Sequence, residues 1–147
     1  MRLALLALLA VALTGCALLT HPIEKPTAQV RGVAVGSVSF TGLDGTIDLD
    51  IQNPNSFGVP LSEIEWQLSV GNARAVSGRI SLSQEIPARG TAPVHAALRI
   101  AATDAIAVGG EVAGGVRSYT LSARLHFSTK LGKVSVDVAN TGTLSSL

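Results

Sequence analysis

Aromatic residues are scarce: three Phe, one Tyr and one Trp make up 3% of 147 residues. Charge is scarce too, at 14%, well below the usual quarter. A chain that avoids folding by solvating itself needs more charge than that. Eleven Lys and Arg stand against ten Asp and Glu. That balance leaves no electrostatic footprint for nucleic acid. A single cysteine excludes a disulfide framework and any multi-cysteine zinc or iron–sulfur site. His21, His95 and His126 lie far apart in sequence and give little material for a metal centre. No cofactor is expected. Beyond residue 19 no apolar run approaches eighteen residues, so no transmembrane helix is expected in the mature chain.

What is abundant is local. Of the 69 hydrophobic residues, 16 fall in the first 19 positions. Arg2 is followed by an unbroken run of Leu, Ala and Val from Leu3 to Leu13. Eleven helical residues span about 16 Å against a hydrocarbon core of roughly 30 Å, too little to cross. The run has the length and flanks of a signal-peptide core. It ends Leu13-Thr14-Gly15-Cys16, which resembles the lipobox of bacterial lipoproteins. That resemblance implies cleavage before Cys16 and diacylglycerol on its thiol. Two or more acyl chains hold a protein on a bilayer without spanning it. Residues 1–15 are therefore read as a lipoprotein signal peptide. Residues 16–26 are read as the lipidated cysteine and a tether whose ten residues after Cys16 reach at most about 35 Å. Residues 27–147 are read as the folded domain. Ala17, rather than Asp, after the cysteine favours the outer membrane if the cell is Gram-negative. The implied location is the bacterial envelope, and the implied partner there is the membrane itself.

From Thr27 the hydrophobic period is two. Ile47, Leu49 and Ile51 alternate with polar residues, as do Ile64 to Val70, Val94 to Ile100, Tyr119 to Phe127 and Val134 to Val138. Val30–Val35 and Val76–Leu82 are weaker runs. Each reads as a strand with one wet face. Seven such strands separated by turn residues predict an all-β antiparallel sandwich. The turns are placed at Leu43-Asp44-Gly45, Asn53-Pro54-Asn55, Gly71-Asn72, Ala88-Arg89-Gly90 and Leu131-Gly132. At Gly36 the alternation slips by one, which predicts a bulge or bend. Thr103 to Val112 leaves the β rhythm. Ala105, Ile106 and Val112 at helical spacing, with Thr103 or Asp104 as N-cap, predict a short helix between the fifth and sixth strands.

These motifs, in their order, resemble the WHy (water stress and hypersensitive response) domain of the late-embryogenesis-abundant type-two family. The resemblance covers about Pro26 to Gly142. It rests on Asn53-Pro54-Asn55 after a strand with acidic outward positions, then Phe57 and a strand over Leu61–Val70. Gly78, Ile86-Pro87-Ala88-Arg89-Gly90, Tyr119 and Gly142 follow, and Pro26 to Val30 lead in. It implies a fibronectin-type-III-like (immunoglobulin-like) sandwich with a short helix. It implies roles in desiccation and cold stress, including protection of enzymes, and no catalytic residues.

Read as residues, the remaining candidates are structural. Asn53, Pro54 and Asn55 suit a turn: Asn side chains cap backbone groups and Pro fixes φ. Asp44, Asp48 and Asp50 lack the Gly-punctuated loop and terminal Glu of a calcium site, so they read as a solvated face. His95 and His126 fall on polar faces, with no nucleophile motif to serve. Trp66 lies on an apolar stripe and reads as core. The expectation is a non-enzymatic, lipid-anchored envelope protein that binds or stabilises other proteins under stress. The alternative is a structural or assembly subunit that binds one specific envelope protein. Neither nucleic acid nor a small-molecule substrate is expected.

Overall fold

The computed structural model describes residues 22–147. The expected signal segment and the lipobox residues Leu13, Thr14, Gly15 and Cys16 lie outside the described residues. The elements run β1 (Thr27–Ser39), β2 (Gly42–Gln52), β3 (Val59–Val70), β4 (Val76–Ile86) and β5 (Thr91–Ala101). Then come α1 (Ala102–Ala113), β6 (Ser118–Thr129), β7 (Gly132–Thr143) and β8 (Ser145–Ser146). Two four-stranded sheets result, ordered β5-β2-β1-β8 and β4-β3-β6-β7. The helix joins strands five and six, as the sequence predicts. There are eight strands among the described residues, not seven. The extra one pairs parallel to β1 through Ala34–Ser145 and Val35–Ser146, so the sandwich is not wholly antiparallel. Two residues with no hydrophobic alternation carry no strand signal, and β8 forms because Leu144 sinks into the core beside them.

The period-two stripes face inward. Ile47, Leu49 and Ile51 from one sheet meet Ile64, Leu68, Leu121, Leu125 and Phe127 from the other, all essentially inaccessible. Each such side chain stabilises the fold by about 1.5–3 kcal/mol relative to exposure. Val134, Val136 and Val138 are only half-buried, because β7 is a sheet edge. A strand with two unequal bends carries its stripe only if extra residues restore the parity. In β1 the register shifts at Arg31 and again between Val35 and Val38, where the Gly36 bulge is expected. In β3 Ser62 is the extra residue, and its hydroxyl donates to the His126 carbonyl at 3.0 Å.

Three local expectations are corrected. The turn is not at Leu43-Asp44-Gly45, which lie inside β2; it falls at Phe40-Thr41, ahead of Gly42 at φ 129°. A Cβ on Gly42 would stand 2.1 Å from the Ile100 carbonyl oxygen, so only glycine fits this close approach. The helix N-cap is Ala101, without a side-chain cap, rather than Thr103 or Asp104. Asp104 sits instead in the first turn and pairs with Arg74. The buried helix stripe is Ala105 and Val108, while Ile106 is 73% exposed.

Candidate functional site: the Asn53–Asn55 knot and the polar sheet faces

Asn53 and Asn55 are the buried polar side chains of the described residues. A buried amide needs partners, and Asn53 has them on every side. Its Nδ2 donates to the carbonyls of Phe57 at 2.7 Å, Pro87 at 3.1 Å and Ile86 at 3.2 Å. Its Oδ1 accepts from the Asn55 backbone N–H at 3.0 Å and from Asn55 Nδ2 at 2.9 Å. Asn55 reaches the other way. Its Nδ2 donates to the Glu24 carbonyl at 2.8 Å, and its Oδ1 accepts from the Glu24 N–H at 2.9 Å. Two backbone bonds, Asn53 N–H to Gly90 at 2.8 Å and Arg89 N–H to Asn55 at 2.9 Å, complete the set. The Asn53-Pro54-Asn55 loop is thus a turn that ties three pieces of chain together: the incoming segment at Glu24, the loop to Phe57, and the β4–β5 turn. Within the expected tether, Pro22 to Pro26 are described, and Glu24 is fastened to the domain by this pair of bonds.

The aromatics and glycines of the sequence motif are explained by cross-strand register. Trp66 stands opposite Gly78, and Tyr119 opposite Gly142. Each ring lies over its glycine. A Cβ on Gly78 would be 2.6 Å from Trp66 Cζ2, and one on Gly142 would be 2.9 Å from the Tyr119 hydroxyl. A flat ring covering a bare backbone is a known way to hold glycine in a strand. Trp66 is core, as expected. The Tyr119 hydroxyl donates to Asn140 Oδ1 at 2.7 Å, and burial pushes the phenol above its ordinary range.

The outer faces carry paired charge. On the β5-β2-β1 sheet, Asp44 faces Arg99 at 3.4 Å, Asp48 faces His95 at 2.7 Å and Asp50 faces Arg31 at 3.4 Å. The three aspartates each take a different partner rather than converging on one point. On the other sheet a row of alternating sign runs across all four strands: Arg79, Glu65, Arg124, Asp137. Arg79 meets Glu65 at 3.0 Å, and Arg124 grips Asp137 through two bonds of 2.6 and 3.2 Å. Through that hydrogen bond Asp137 is held below the usual carboxylate range and Arg124 above its ordinary value. The row borders an open trough of about 610 Å³, whose other side is Ser77, Gln67, Ser122 and Ala139.

One cluster was not anticipated from sequence. Glu63, Glu65 and His126 bring their ligand atoms within 4.8 Å of one another. The Ser62 bulge displaces Glu63 along the strand and sets it opposite His126, a shift that alternation alone does not reveal. His126 Nδ1 bonds Ser135 Oγ at 2.9 Å, and its Nε2 stands 3.5 Å from Glu65 Oε2. Arg79 already neutralises Glu65, so this triad reads as part of the same charge lattice rather than as a metal centre.

Comparison with known proteins follows this geometry. Residues 48–142 match the family profile described as late embryogenesis abundant protein. No curated protein matches the chain. A solution structure from Arabidopsis thaliana is similar at TM-score 0.67 and 17% identity, covering 89% of this chain and 90% of that one. A solution structure described as a late embryogenesis abundant protein is similar at TM-score 0.59 and 22% identity, covering 96% and 82%. A crystal structure of a protein from Archaeoglobus fulgidus is similar at TM-score 0.56 and 10% identity, covering 86% and 100%. At such identities the likeness is one of fold.

Proposed function

Because the chain belongs to the late embryogenesis abundant protein family, we propose that it is a stress-related, non-enzymatic protein that stabilises other proteins by surface contact. In this reading the sandwich is a fibronectin-type-III-like WHy domain, anchored in the bacterial envelope by lipid on Cys16. The observation that carries it is the character of the two outer sheet faces. Both are polar, and most of their charges stand in cross-strand pairs. Such a surface meets a partly unfolded client without a specific pocket. The edge of β7 offers a further contact: twelve residues, Gly132–Thr143, with no strand beyond them in their sheet. A client strand adds to an open edge through backbone bonds alone. Catalysis would need a nucleophile, a base and an orienting group together. Asp44, Asp50, Glu65 and Asp137 are held in ion pairs with arginines.

The test is drying and freezing a labile enzyme with the protein. Recovered activity should exceed that given by an equal mass of an unrelated β-sandwich. Recovery equal to that control would overturn the stabiliser reading.

A second reading, a subunit that binds one envelope protein, is favoured by one feature. Val38, Phe40 and Ile106 are exposed around the β1–β2 turn and α1, with Phe40 fully so. Beside them Gly36, Leu43, Gly109 and Val112 line an apolar hollow of about 300 Å³. Crosslinking in cells separates the readings: one stoichiometric partner supports the subunit, a diffuse set the stabiliser.

A further inference from the structure

We propose that the end of the sandwich from which the N-terminal segment leaves is a docking face for anionic phospholipid headgroups. This deepens the anchored reading and rests on it for the orientation of the domain. The start of β1, the Asn53–Gly58 loop, the β4–β5 turn and the β6–β7 turn share this end. All three lysines of the chain are there: Lys25 before β1, and Lys130 and Lys133 at the β6–β7 turn. Arg89 joins them from the β4–β5 turn.

These four stand outside the ion pairs of the described residues, as Arg117 alone does at the opposite end. Arg31, Arg74, Arg79, Arg99 and Arg124 are each paired with a carboxylate. Among the described residues no ion pair holds Lys25, Lys130, Lys133 or Arg89. Glu24, Glu85 and, a little further along β3, Glu63 are the unpaired acids near this end, so four cations face three anions, and Lys25 also acts on Asp137. Between Lys130 and Lys133 stands Leu131, 66% exposed at the tip of the hairpin. An apolar tip flanked by lysines matches the chemistry of a bilayer surface, where headgroup charge lies over hydrocarbon. At the other end Asp44 and Asp104 are paired with Arg99 and Arg74, and Glu111 and Arg117 are one charge of each sign.

The length of chain between Cys16 and Glu24 limits how far this end can stand from an anchor at Cys16. The bonds between Asn55 and Glu24 fasten the chain back as far as Glu24. From Cys16 to Glu24 is eight residues, at most about 28 Å when fully extended. A lipid at Cys16 would therefore hold this end near the headgroups, and the lysines would set which way the end faces.

The test uses the full chain, acylated and reconstituted in phosphatidylcholine vesicles with and without phosphatidylglycerol. A fluorophore is placed by Leu131→Cys in one sample and by Thr41→Cys, at the opposite end, in another. A headgroup-borne quencher reads proximity. Quenching at position 131 should exceed that at 41, and should rise with phosphatidylglycerol. Lys130→Glu with Lys133→Glu should remove that rise, by about fivefold per charge. Equal quenching at both positions, or quenching at 131 indifferent to phosphatidylglycerol, overturns the proposal while leaving the anchor intact. Mass spectrometry of Cys16 checks the anchor separately. If Cys16 carries no acyl chain, binding of the chain to phosphatidylglycerol vesicles that needs the lysines still supports the face. Lack of such binding overturns it.

Discussion

Replacing Asn53 with aspartate keeps the side chain's shape and its acceptor but aims an anion at three carbonyl oxygens. The donor bonds to Phe57, Ile86 and Pro87 are all lost. Leaving several buried groups unsatisfied costs about 3 kcal/mol or more. Asn53→Asp should lower the urea midpoint accordingly, and an unchanged midpoint would show that the knot does not hold this end together. Tyr119 gives a second residue-scale prediction. Burial raises its phenol above the ordinary 10.0, so the folded state holds the proton more firmly than the unfolded chain does. Its contribution is whole below that ordinary value and is lost as pH rises through the raised folded value. Alkaline urea titrations should show stability falling in that window. Tyr119→Phe should flatten the fall, and an unaltered slope in Tyr119→Phe would refute the assignment. Tyr119 is the chain's one tyrosine, so its ionisation is visible directly by absorbance.

Among the elements, α1 separates two neighbouring glycines that look alike in sequence. A Cβ on Gly110 meets nothing within 4 Å, whereas one on Gly109 would be 2.3 Å from Val38 Cγ2. Glycine costs a helix interior about 0.8–1 kcal/mol relative to alanine. Gly110→Ala should therefore raise the thermal midpoint. Gly109→Ala should not, because Val38 must move to admit it. Equal effects would mean that the helix does not lie against β1 as described. The strands were legible because alternation survives wherever one face is buried. Ile47 to Ile51, Ile64 to Val70 and Tyr119 to Phe127 all read correctly for that reason. The β1–β2 turn was misread at Leu43-Asp44-Gly45. Turn chemistry is present there, yet Phe40-Thr41 turns, and Gly42 is the residue that must approach the Ile100 backbone. Ile106 fits the helical spacing yet faces solvent, because that spacing is compatible with more than one stripe. The Asn53 knot was legible as a turn, but its reach to Glu24 and Pro87 was not, since partners 31 and 34 residues away leave no periodic trace. Nor was the Glu63–Glu65–His126 cluster, which depends on one bulged serine.

For the whole molecule, the anchor and the sandwich make separable predictions. Cys16→Ser should release the domain from the membrane fraction or leave uncleaved precursor. Unchanged processing and fractionation would sink the lipid reading and leave the fold untouched. The described residues include no helix long and apolar enough to cross a bilayer.

The parallel pairing of Ser145 and Ser146 with Ala34 and Val35 has a consequence in time. The opening strand of the domain is not flanked on its second side until the final residues exist. The chain is synthesised from its N-terminus, so its β5-β2-β1-β8 sheet completes last of all. Pairings this distant in sequence also form slowly, on millisecond-to-second scales in small β proteins. A truncation that removed Ser145 and Ser146 would leave that side of β1 open along Ala34 and Val35.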